Sequence, residues 1–144
     1  MRVVNAGIPG ETTSSGRERL GEALRKTTPD LVILCHGGND FLRRLPRMET
    51  EENLRAMITA IRSTGAQVLL VGVPAPGFTL QPPAFYEKLA KEAQIPVATE
   101  ILTEILTDRS LKNDPIHPNS AGYERLALRL AAILRDTGGL PPEF

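Results

Sequence analysis

Asp114 and His117 stand three residues apart in the stretch N-D-P-I-H-P-N, residues 113–119, where two prolines restrict the backbone. A histidine works as a general base when one ring nitrogen is held by a hydrogen bond and the other is free to accept a proton. An aspartate three residues earlier in a stiff turn can supply that hydrogen bond. The spacing therefore indicates an oriented base, although D-x-x-H also occurs where the aspartate only begins a turn and the histidine precedes a helix.

A second candidate group is G-G-N-D, residues 37–40, which follows the apolar run L-V-I-L-C. Two glycines after a strand allow positive φ angles and a close approach of the backbone to a ligand. Asn39 adds a neutral amide donor suited to a developing oxyanion, and Asp40 is expected to cap the following turn. A third group is the loop from Asn5 to Thr12, where Gly10 could offer an unobstructed N–H. Alone, each of these patterns is weak.

The elements that must position these groups alternate between strands and helices. Strands are predicted at 2–5, 31–35, 67–73 and 95–98. Helices are predicted at 16–27, from about residue 51, at 84–94, at 100–107 and from 120 to about 136. The expected caps are Ser14 or Ser15 for the first helix, Thr50 for the second and Asn119 for the last. The runs 31–35 and 67–73 are continuously apolar, which is typical of strands buried on both faces of a parallel sheet.

Helices that alternate with buried strands predict an α/β fold with three layers, α/β/α, around a parallel flavodoxin-like sheet. Ligands of such folds bind at the carboxyl ends of the strands. The loops that begin at Gly7, His36 and Pro74, together with the turn at Asp114, lie on that edge or lead into it. We therefore expect one domain over residues 1–144 with its chemistry at one rim.

The composition excludes several classes of function. Lys plus Arg is 17 and Asp plus Glu is 17, so the net charge is zero, which argues against a nucleic-acid-binding surface. Cys35 is the one cysteine, so no intrachain disulfide can form. No apolar run reaches the roughly 18 residues of a transmembrane segment, and the amino terminus does not have the pattern of a signal peptide. The compartment and the oligomeric state stay open.

Taken together, the motifs resemble those of the SGNH (GDSL-type) hydrolases, in particular the bacterial arylesterase and lysophospholipase-thioesterase branch. The resemblance rests on V-V-N-A-G-I-P-G-E-T, G-G-N-D and D-P-I-H-P-N, and it extends from residue 2 to about 136. It implies an ester or thioester hydrolase without metal or organic cofactor. By this resemblance His117 is the general base, Asp114 orients it, and Gly10 and Asn39 are the oxyanion-hole donors.

The sequence departs from the family at the nucleophile. The family's first strand ends in G-D-S, and no such block precedes Met1, so the first strand of the sheet and the serine of the triad are expected to be missing. None of the serines present follows a buried strand in a G-D-S or G-x-S-x-G context: Ser14, Ser15, Ser63, Ser110 and Ser120. Cys35 is expected to be an inert buried side chain.

Loss of the first strand predicts an exposed sheet ladder, because that strand lies in the middle of a flavodoxin-like sheet. Three explanations stay open: a shortened version of a longer enzyme, a strand supplied by another chain, or a serine-less relative that binds without cleaving. The first is favoured, because the remaining motifs are intact.

The substrate is expected to be a small acyl ester, with Phe78 and Leu80 as substrate-binding residues and Phe85 and Tyr86 behind them. Packing in the core is the alternative for these aromatics. A metal-dependent hydrolase is a third functional alternative, with Zn or Mn bound by two histidines and two carboxylates: His36, Asp40, Asp114 and His117. The spacing of these four residues is not specific for a metal.

Overall fold

A computed structural model describes residues 1–139 of the chain. It contains three strands, six helices and a 3₁₀ turn among those residues. The strands are β1 (Leu31–Cys35), β2 (Gln67–Val71) and β3 (Val97–Ala98); the helices are α1 (Thr13–Thr27), α2 (Gly38–Leu42), α3 (Arg47–Ser63), α4 (Phe85–Ala93), α5 (Ile101–Thr107) and α6 (Ser120–Asp136); the 3₁₀ turn is Arg109–Leu111. The predicted alternation of strands and helices is confirmed from residue 13 onward.

The three strands form one parallel sheet in the order β1-β2-β3. Leu31 pairs with Gln67 at one end of the β1–β2 ladder, and Cys35 pairs with Val71 at the other. Helices make both crossovers, as parallel neighbours require. The loop after Cys35 therefore leaves the same edge of the sheet as the loop after Val71.

Helices cover both faces of this sheet. On one face Leu34, Val68 and Leu70 pack with buried residues of α1, α3 and α4. On the other face Leu69 and Val71 pack with buried residues of α5 and α6. Alternate residues of β2 thus enter opposite layers, which confirms the three-layer α/β/α architecture. None of the helices described over residues 1–139 is both long and apolar enough to cross a bilayer.

The predicted strand at residues 2–5 is wrong for this structure. These residues have no regular secondary structure, and Val3 is 81% exposed. Within the described chain β1 pairs with β2 alone, so residues 2–5 have no neighbouring ladder. An isolated extended segment has no partner for its backbone groups except water.

The prediction that β1 is buried on both faces is also wrong. Leu34 is 5% exposed, but Ile33 is 46% exposed and Cys35 is exposed as well. Ile33 pairs with Leu69, so both side chains point to the face that α5 and α6 cover. Those helices cover β2 and leave the outer half of β1 open, because β1 is an edge strand here.

Two helices begin earlier than the sequence predicts. Helix α1 begins at Thr13 after Thr12, so Ser14 and Ser15 lie within its first turn and are not its caps. Helix α3 begins at Arg47, which places Thr50 inside the helix as a buried residue. The Asn119 cap of α6 is confirmed, since its side chain accepts a hydrogen bond from the Gly122 N–H at 3.0 Å.

Candidate active site

Gly10 lies in the loop before α1 with a φ of +77°, a conformation that favours glycine. Arg43 fixes the outer side of this loop, because its Nη2 donates to the Gly10 carbonyl oxygen at 2.9 Å. The Gly10 N–H has no hydrogen-bond acceptor among the described residues. It is available as a donor to a ligand.

Asn39 lies in the short helix α2 directly after β1. Its side-chain Nδ2 donates to the carbonyl oxygen of Glu11 at 3.0 Å, which joins the G-G-N-D segment to the Gly10 loop. Gly37 makes this turn possible: its φ is +114°, and a Cβ there would lie 2.5 Å from the hydroxyl oxygen of Tyr86. That hydroxyl donates to the His36 carbonyl oxygen at 2.7 Å and fixes the strand exit.

Asp114 organises the turn that holds His117. Its Oδ1 accepts the backbone N–H groups of Ile116 and His117, each at 2.9 Å. The imidazole Nδ1 lies 2.8 Å from Oδ2 and 3.0 Å from Oδ1 of the same carboxylate. The Ile116 N–H, followed by the His117 imidazole, holds the pKa of Asp114 below its ordinary value. Both predicted partners are therefore in contact.

The other ring nitrogen of His117, Nε2, has no hydrogen-bond partner within residues 1–139, and the side chain is 61% exposed. A carboxylate on Nδ1 favours the tautomer whose proton lies on Nδ1, which leaves the Nε2 lone pair free. This is the arrangement that a general base requires.

The turn itself is anchored from outside. The Asn119 N–H donates to the Leu111 carbonyl oxygen at 2.9 Å, and the Asn113 N–H donates to the His117 carbonyl oxygen at 2.9 Å. Gly122 of α6 packs directly beneath, since a Cβ at that position would lie 2.1 Å from the same Leu111 oxygen. The close packing of α6 against this turn thus sets the position of the Asp114–His117 pair.

The predicted site residues form two separate groups. Gly10 and Asn39 are linked through Glu11, and Asp114 is linked to His117. No hydrogen bond or ion pair joins one group to the other in the part of the chain that the structure describes. Each half is formed by its own contacts.

None of the serines makes a hydrogen bond to His117 in the described structure. Ser63 donates its hydroxyl to the Ala60 carbonyl oxygen at 2.7 Å, and Ser110 donates to the Asp108 carboxylate at 2.7 Å. Ser14 and Ser15 lie in the first turn of α1, and Ser120 lies in that of α6.

The structure separates the four apolar residues expected near the substrate into a buried pair and a more exposed pair. Phe85 and Tyr86 are core residues, 8% and 0% exposed, so they pack behind the sheet as the alternative held. Phe78 is fully exposed, and Leu80 is partly exposed in the same loop. A role for these two in substrate binding stays a prediction. Cys35 is an exposed residue, which corrects the expectation that it is buried, while the protein atoms around its thiol raise the pKa of that group to about 11.

The four residues of the metal-site alternative are not gathered. His36 contacts Glu11, Asp40 contacts Thr13 and Thr50, and Asp114 contacts His117. Across residues 1–139, no group of three His, Cys, Asp or Glu side chains is placed to hold a metal ion.

A cluster that the sequence reasoning missed surrounds Glu11. Its side chain is 7% exposed, and its carboxylate binds the guanidinium of Arg19, with Nη2 to Oε2 at 2.7 Å, and the imidazole of His36 at 3.3 Å. The Arg19 hydrogen bond, and to a smaller degree that of His36, holds the pKa of Glu11 below its ordinary value against the opposite effect of burial. The available signal was that Glu11 and His36 belong to two loops expected at the same edge of the sheet, which suggests proximity but does not specify a contact.

The profile of the GDSL-like lipase/acylhydrolase family matches residues 1–125. The chain belongs to this family. It is 34% identical over 123 residues to the thioesterase 1/protease 1/lysophospholipase L1 of Escherichia coli K12, a match that covers 81% of this chain and 59% of that protein. It is 33% identical over 124 residues to an arylesterase of Vibrio mimicus, covering 82% and 62%.

The crystal structure of TesA superimposes with a TM-score of 0.80 at 30% identity, covering 94% of this chain and 78% of that one. The chain therefore has the fold of the GDSL-like hydrolases. It spans about three fifths of the length of the curated relatives it matches. The resemblance inferred from the motifs is confirmed.

Proposed function

We propose that this chain supplies the base and the oxyanion donors of a carboxylic-ester or thioester hydrolase. The observation that carries the proposal is the hydrogen bond between His117 Nδ1 and the Asp114 carboxylate at 2.8 Å, with a His117 side chain that is 61% exposed and an Nε2 that has no partner among residues 1–139. Membership of the acylhydrolase family gives this pair its chemical context.

In the proposed reaction, His117 Nε2 takes the proton of a serine hydroxyl as the serine oxygen bonds to the acyl carbon. The imidazolium then gives this proton to the leaving group, at the oxygen of an alcohol or the sulfur of a thiol. A water molecule next attacks the acyl-enzyme: His117 takes a proton from the water and gives it to the serine oxygen as the acid is released. Asp114 holds the ring in its tautomer and stabilises the imidazolium, as carboxylates of catalytic triads do.

The carbonyl oxygen becomes negatively charged in the tetrahedral intermediate, and Gly10 and Asn39 are proposed as its donors. The Gly10 N–H has no acceptor within the described residues, and Asn39 has a second N–H beyond the one that binds Glu11. Removal of one such donor from an oxyanion hole costs about 3–4 kcal/mol of transition-state stabilisation.

The nucleophilic serine of this proposal is not one of the chain's own serines. Among the described residues none of them bonds to His117, and those of α1 and α6 lie in first helical turns. This point also favours a second candidate function, a binding protein that keeps the acyl site without turnover. The two candidates differ in one measurable property, which is hydrolysis that depends on His117.

The test compares hydrolysis of 4-nitrophenyl butyrate by the 144-residue chain and by a version extended at its amino terminus by the Gly-Asp-Ser strand of the family. The extended protein should hydrolyse the ester and lose at least 100-fold in kcat/KM with His117→Ala, because general-base catalysis contributes about 10²–10⁴-fold. The shorter protein should be no faster than its own His117→Ala variant.

Equal rates from the two lengths would overturn the assignment of the nucleophile. An extended protein whose rate ignores His117→Ala would overturn the hydrolase proposal itself. Binding of butyrate by calorimetry, with no turnover from either form, would leave the binding-protein candidate.

A further inference from the structure

The side chain of Glu11 is anchored by several hydrogen bonds, unlike that of a solvated loop residue. Its side chain is 7% exposed, its carboxylate accepts hydrogen bonds from both Nε and Nη2 of Arg19, and Arg19 Nη2 also donates to the Ala6 carbonyl oxygen at 2.7 Å. A charge in such a position is stable only when its hydrogen bonds are satisfied. The pair therefore fixes Glu11 against helix α1.

His36 holds the same carboxylate from the sheet side. Its Nδ1 accepts the Gly37 N–H at 3.2 Å, so in the neutral ring the proton lies on Nε2, which faces Glu11 Oε2 at 3.3 Å. The carbonyl oxygen of His36 is in turn fixed by the Tyr86 hydroxyl. The imidazole thus connects Glu11 to the exit of β1.

The main chain of Glu11 lies between the two proposed oxyanion donors. Gly10 precedes Glu11 directly, and the Glu11 carbonyl oxygen accepts a hydrogen bond from the Asn39 side-chain amide at 3.0 Å. Its N–H closes the loop by donating to the Ile8 carbonyl oxygen at 3.3 Å. A movement of Glu11 would therefore move the Gly10 N–H and release the Asn39 side chain together.

We propose that Glu11 is the positioning residue of the oxyanion hole: its carboxylate, clamped between Arg19 and His36, sets the spacing and direction of the Gly10 N–H and the Asn39 amide. This inference rests on the proposed function for the role of those two donors. It adds three residues that act on the reaction without touching the substrate. Donors fixed in advance need no reorganisation when charge develops on the substrate.

Glu11→Gln is the informative variant, because glutamine keeps the size of the side chain. Its amide presents one oxygen and one NH₂ group where the carboxylate presents two acceptors. In the place of Oε1 the NH₂ group faces the Nε–H donor of Arg19, and in the place of Oε2 it faces both Arg19 Nη2 and His36 Nε2. At least one arm of the clamp is lost.

The chain also offers a matched control at Glu51. Its carboxylate Oε1 lies 2.7 Å from Arg55 Nη2 and 2.8 Å from Lys88 Nζ, so it too joins two cations. This cluster joins α3 to α4 and has no hydrogen bond to Gly10 or Asn39 in the described structure. Glu51→Gln therefore removes an equivalent charge away from the proposed site.

The first readout is hydrogen exchange, by NMR, of the Asn39 side-chain amide in the 144-residue protein. In Glu11→Gln we expect the Asn39 side-chain amide to exchange at least fivefold faster and the Gly10 amide signal to shift. In Glu51→Gln we expect the exchange rate to stay within twofold and the Gly10 signal to stay unshifted. Wild-type behaviour of both groups in a folded Glu11→Gln protein would overturn the inference. If this variant does not fold, His36→Gln removes one arm alone and must shift the same signals; unchanged signals there would also overturn it.

The second readout is turnover by the version extended with the Gly-Asp-Ser strand. We expect Glu11→Gln to lower kcat at least tenfold with KM within twofold, and Glu51→Gln to leave both unchanged. A lower melting temperature with kcat intact would assign Glu11 a structural role only, contrary to the inference. Independence of the rate from His117 would remove the proposed function, while the NMR comparison would still decide whether Glu11 positions the two groups.

Discussion

The carboxylate of Asp40 accepts two hydrogen bonds from Thr13, one from the backbone N–H at 2.9 Å and one from the hydroxyl at 2.5 Å. Asp40 is 2% exposed and also accepts the Thr50 hydroxyl at 3.2 Å. It thus caps helix α1 from a distant part of the sequence and ties α1 to α3. Because Asn39 is the preceding residue, the same contact fixes the backbone that carries the proposed oxyanion donor.

We expect Asp40→Ala to lower the free energy of unfolding by about 2–4 kcal/mol, because it leaves buried donors of Thr13 and Thr50 without acceptors. Urea denaturation monitored by circular dichroism measures the change. Asp30→Asn is the control: Asp30 is exposed and its side chain makes no hydrogen bond in the described structure, so its effect should stay within about 0.5 kcal/mol. A loss below 1 kcal/mol in Asp40→Ala would contradict this account.

The hydrophobic pattern predicted the layers of the fold well where a strand has neighbours on both sides. Strand β2 was predicted at 67–73 and is observed at Gln67–Val71, with its apolar residues buried on both faces. Strand β1 has the same apolar pattern, yet Ile33 is exposed. Composition records a preference for burial, but the neighbours that satisfy it are a property of the assembled sheet.

Contacts within the candidate site were predictable where they are local. Asp114 and His117 are three residues apart, so a stiff turn is sufficient to join them. The contact of Glu11 with His36 spans 25 residues and depends on the packing of the first loop against the exit of β1. Neither residue type nor spacing specifies such a contact, and this is why the Glu11 cluster was missed.

Asp114 should titrate at a lower pH than an ordinary aspartate. Its pKa is lowered from 3.8, first by the Ile116 N–H and then by the His117 imidazole. Because the pKa of Asp114 is lowered in the folded state, its ionised carboxylate stabilises the turn at pH values above the ordinary aspartate pKa. This contribution is lost as the pH falls through the lowered pKa. Carboxyl ¹³C shifts measure the midpoint, which should move upward, but not fully to 3.8, in His117→Ala. A midpoint unaffected by this variant would contradict the contact.

Replacement of Asp114 by asparagine tests the same contact through catalysis. In the version extended with the Gly-Asp-Ser strand, kcat/KM should fall by about 10²–10⁴-fold, because the base loses its orienting carboxylate. Asp108→Asn is the matched control: Asp108 also accepts a backbone N–H two residues ahead, from Ser110 at 2.8 Å, but contacts no histidine within residues 1–139. Equal losses in the two variants would assign Asp114 to turn formation alone.

Gly122→Ala should disturb the His117 turn although residue 122 lies on α6. The added Cβ would lie 2.1 Å from the Leu111 carbonyl oxygen and 2.9 Å from the Pro118 Cβ. Such a backbone contact is relieved only by moving the turn, at a cost of about 1–3 kcal/mol. The His117 and Asn113 amide shifts and urea denaturation report the two effects.

Gly21→Ala is the control for the alanine substitution itself. Gly21 lies in α1, and the nearest atom to its Cβ position is the flexible end of Arg25 at 3.5 Å. We expect this variant to gain about 0.4–1 kcal/mol from reduced entropy of the unfolded chain. Similar gains from both variants would show that α6 does not press on the turn.

Among residues 1–139, strand β1 pairs with a neighbour on one side only, and its Ile33 side chain is 46% exposed. Exposed apolar edge strands favour association between chains, and a lysine at such an edge opposes it. We expect Ile33→Lys to reduce the oligomeric fraction in size-exclusion chromatography at least twofold. The free energy of unfolding should change by less than about 1 kcal/mol, because the side chain is already solvated. Met48→Lys, at a 71% exposed position on α3, adds the same charge away from the sheet and should leave the elution profile unchanged. If Ile33→Lys instead destabilised the fold by about 3 kcal/mol or more, as burial of an unpaired charge would, the outer face of β1 would be covered in solution and the open edge would not exist.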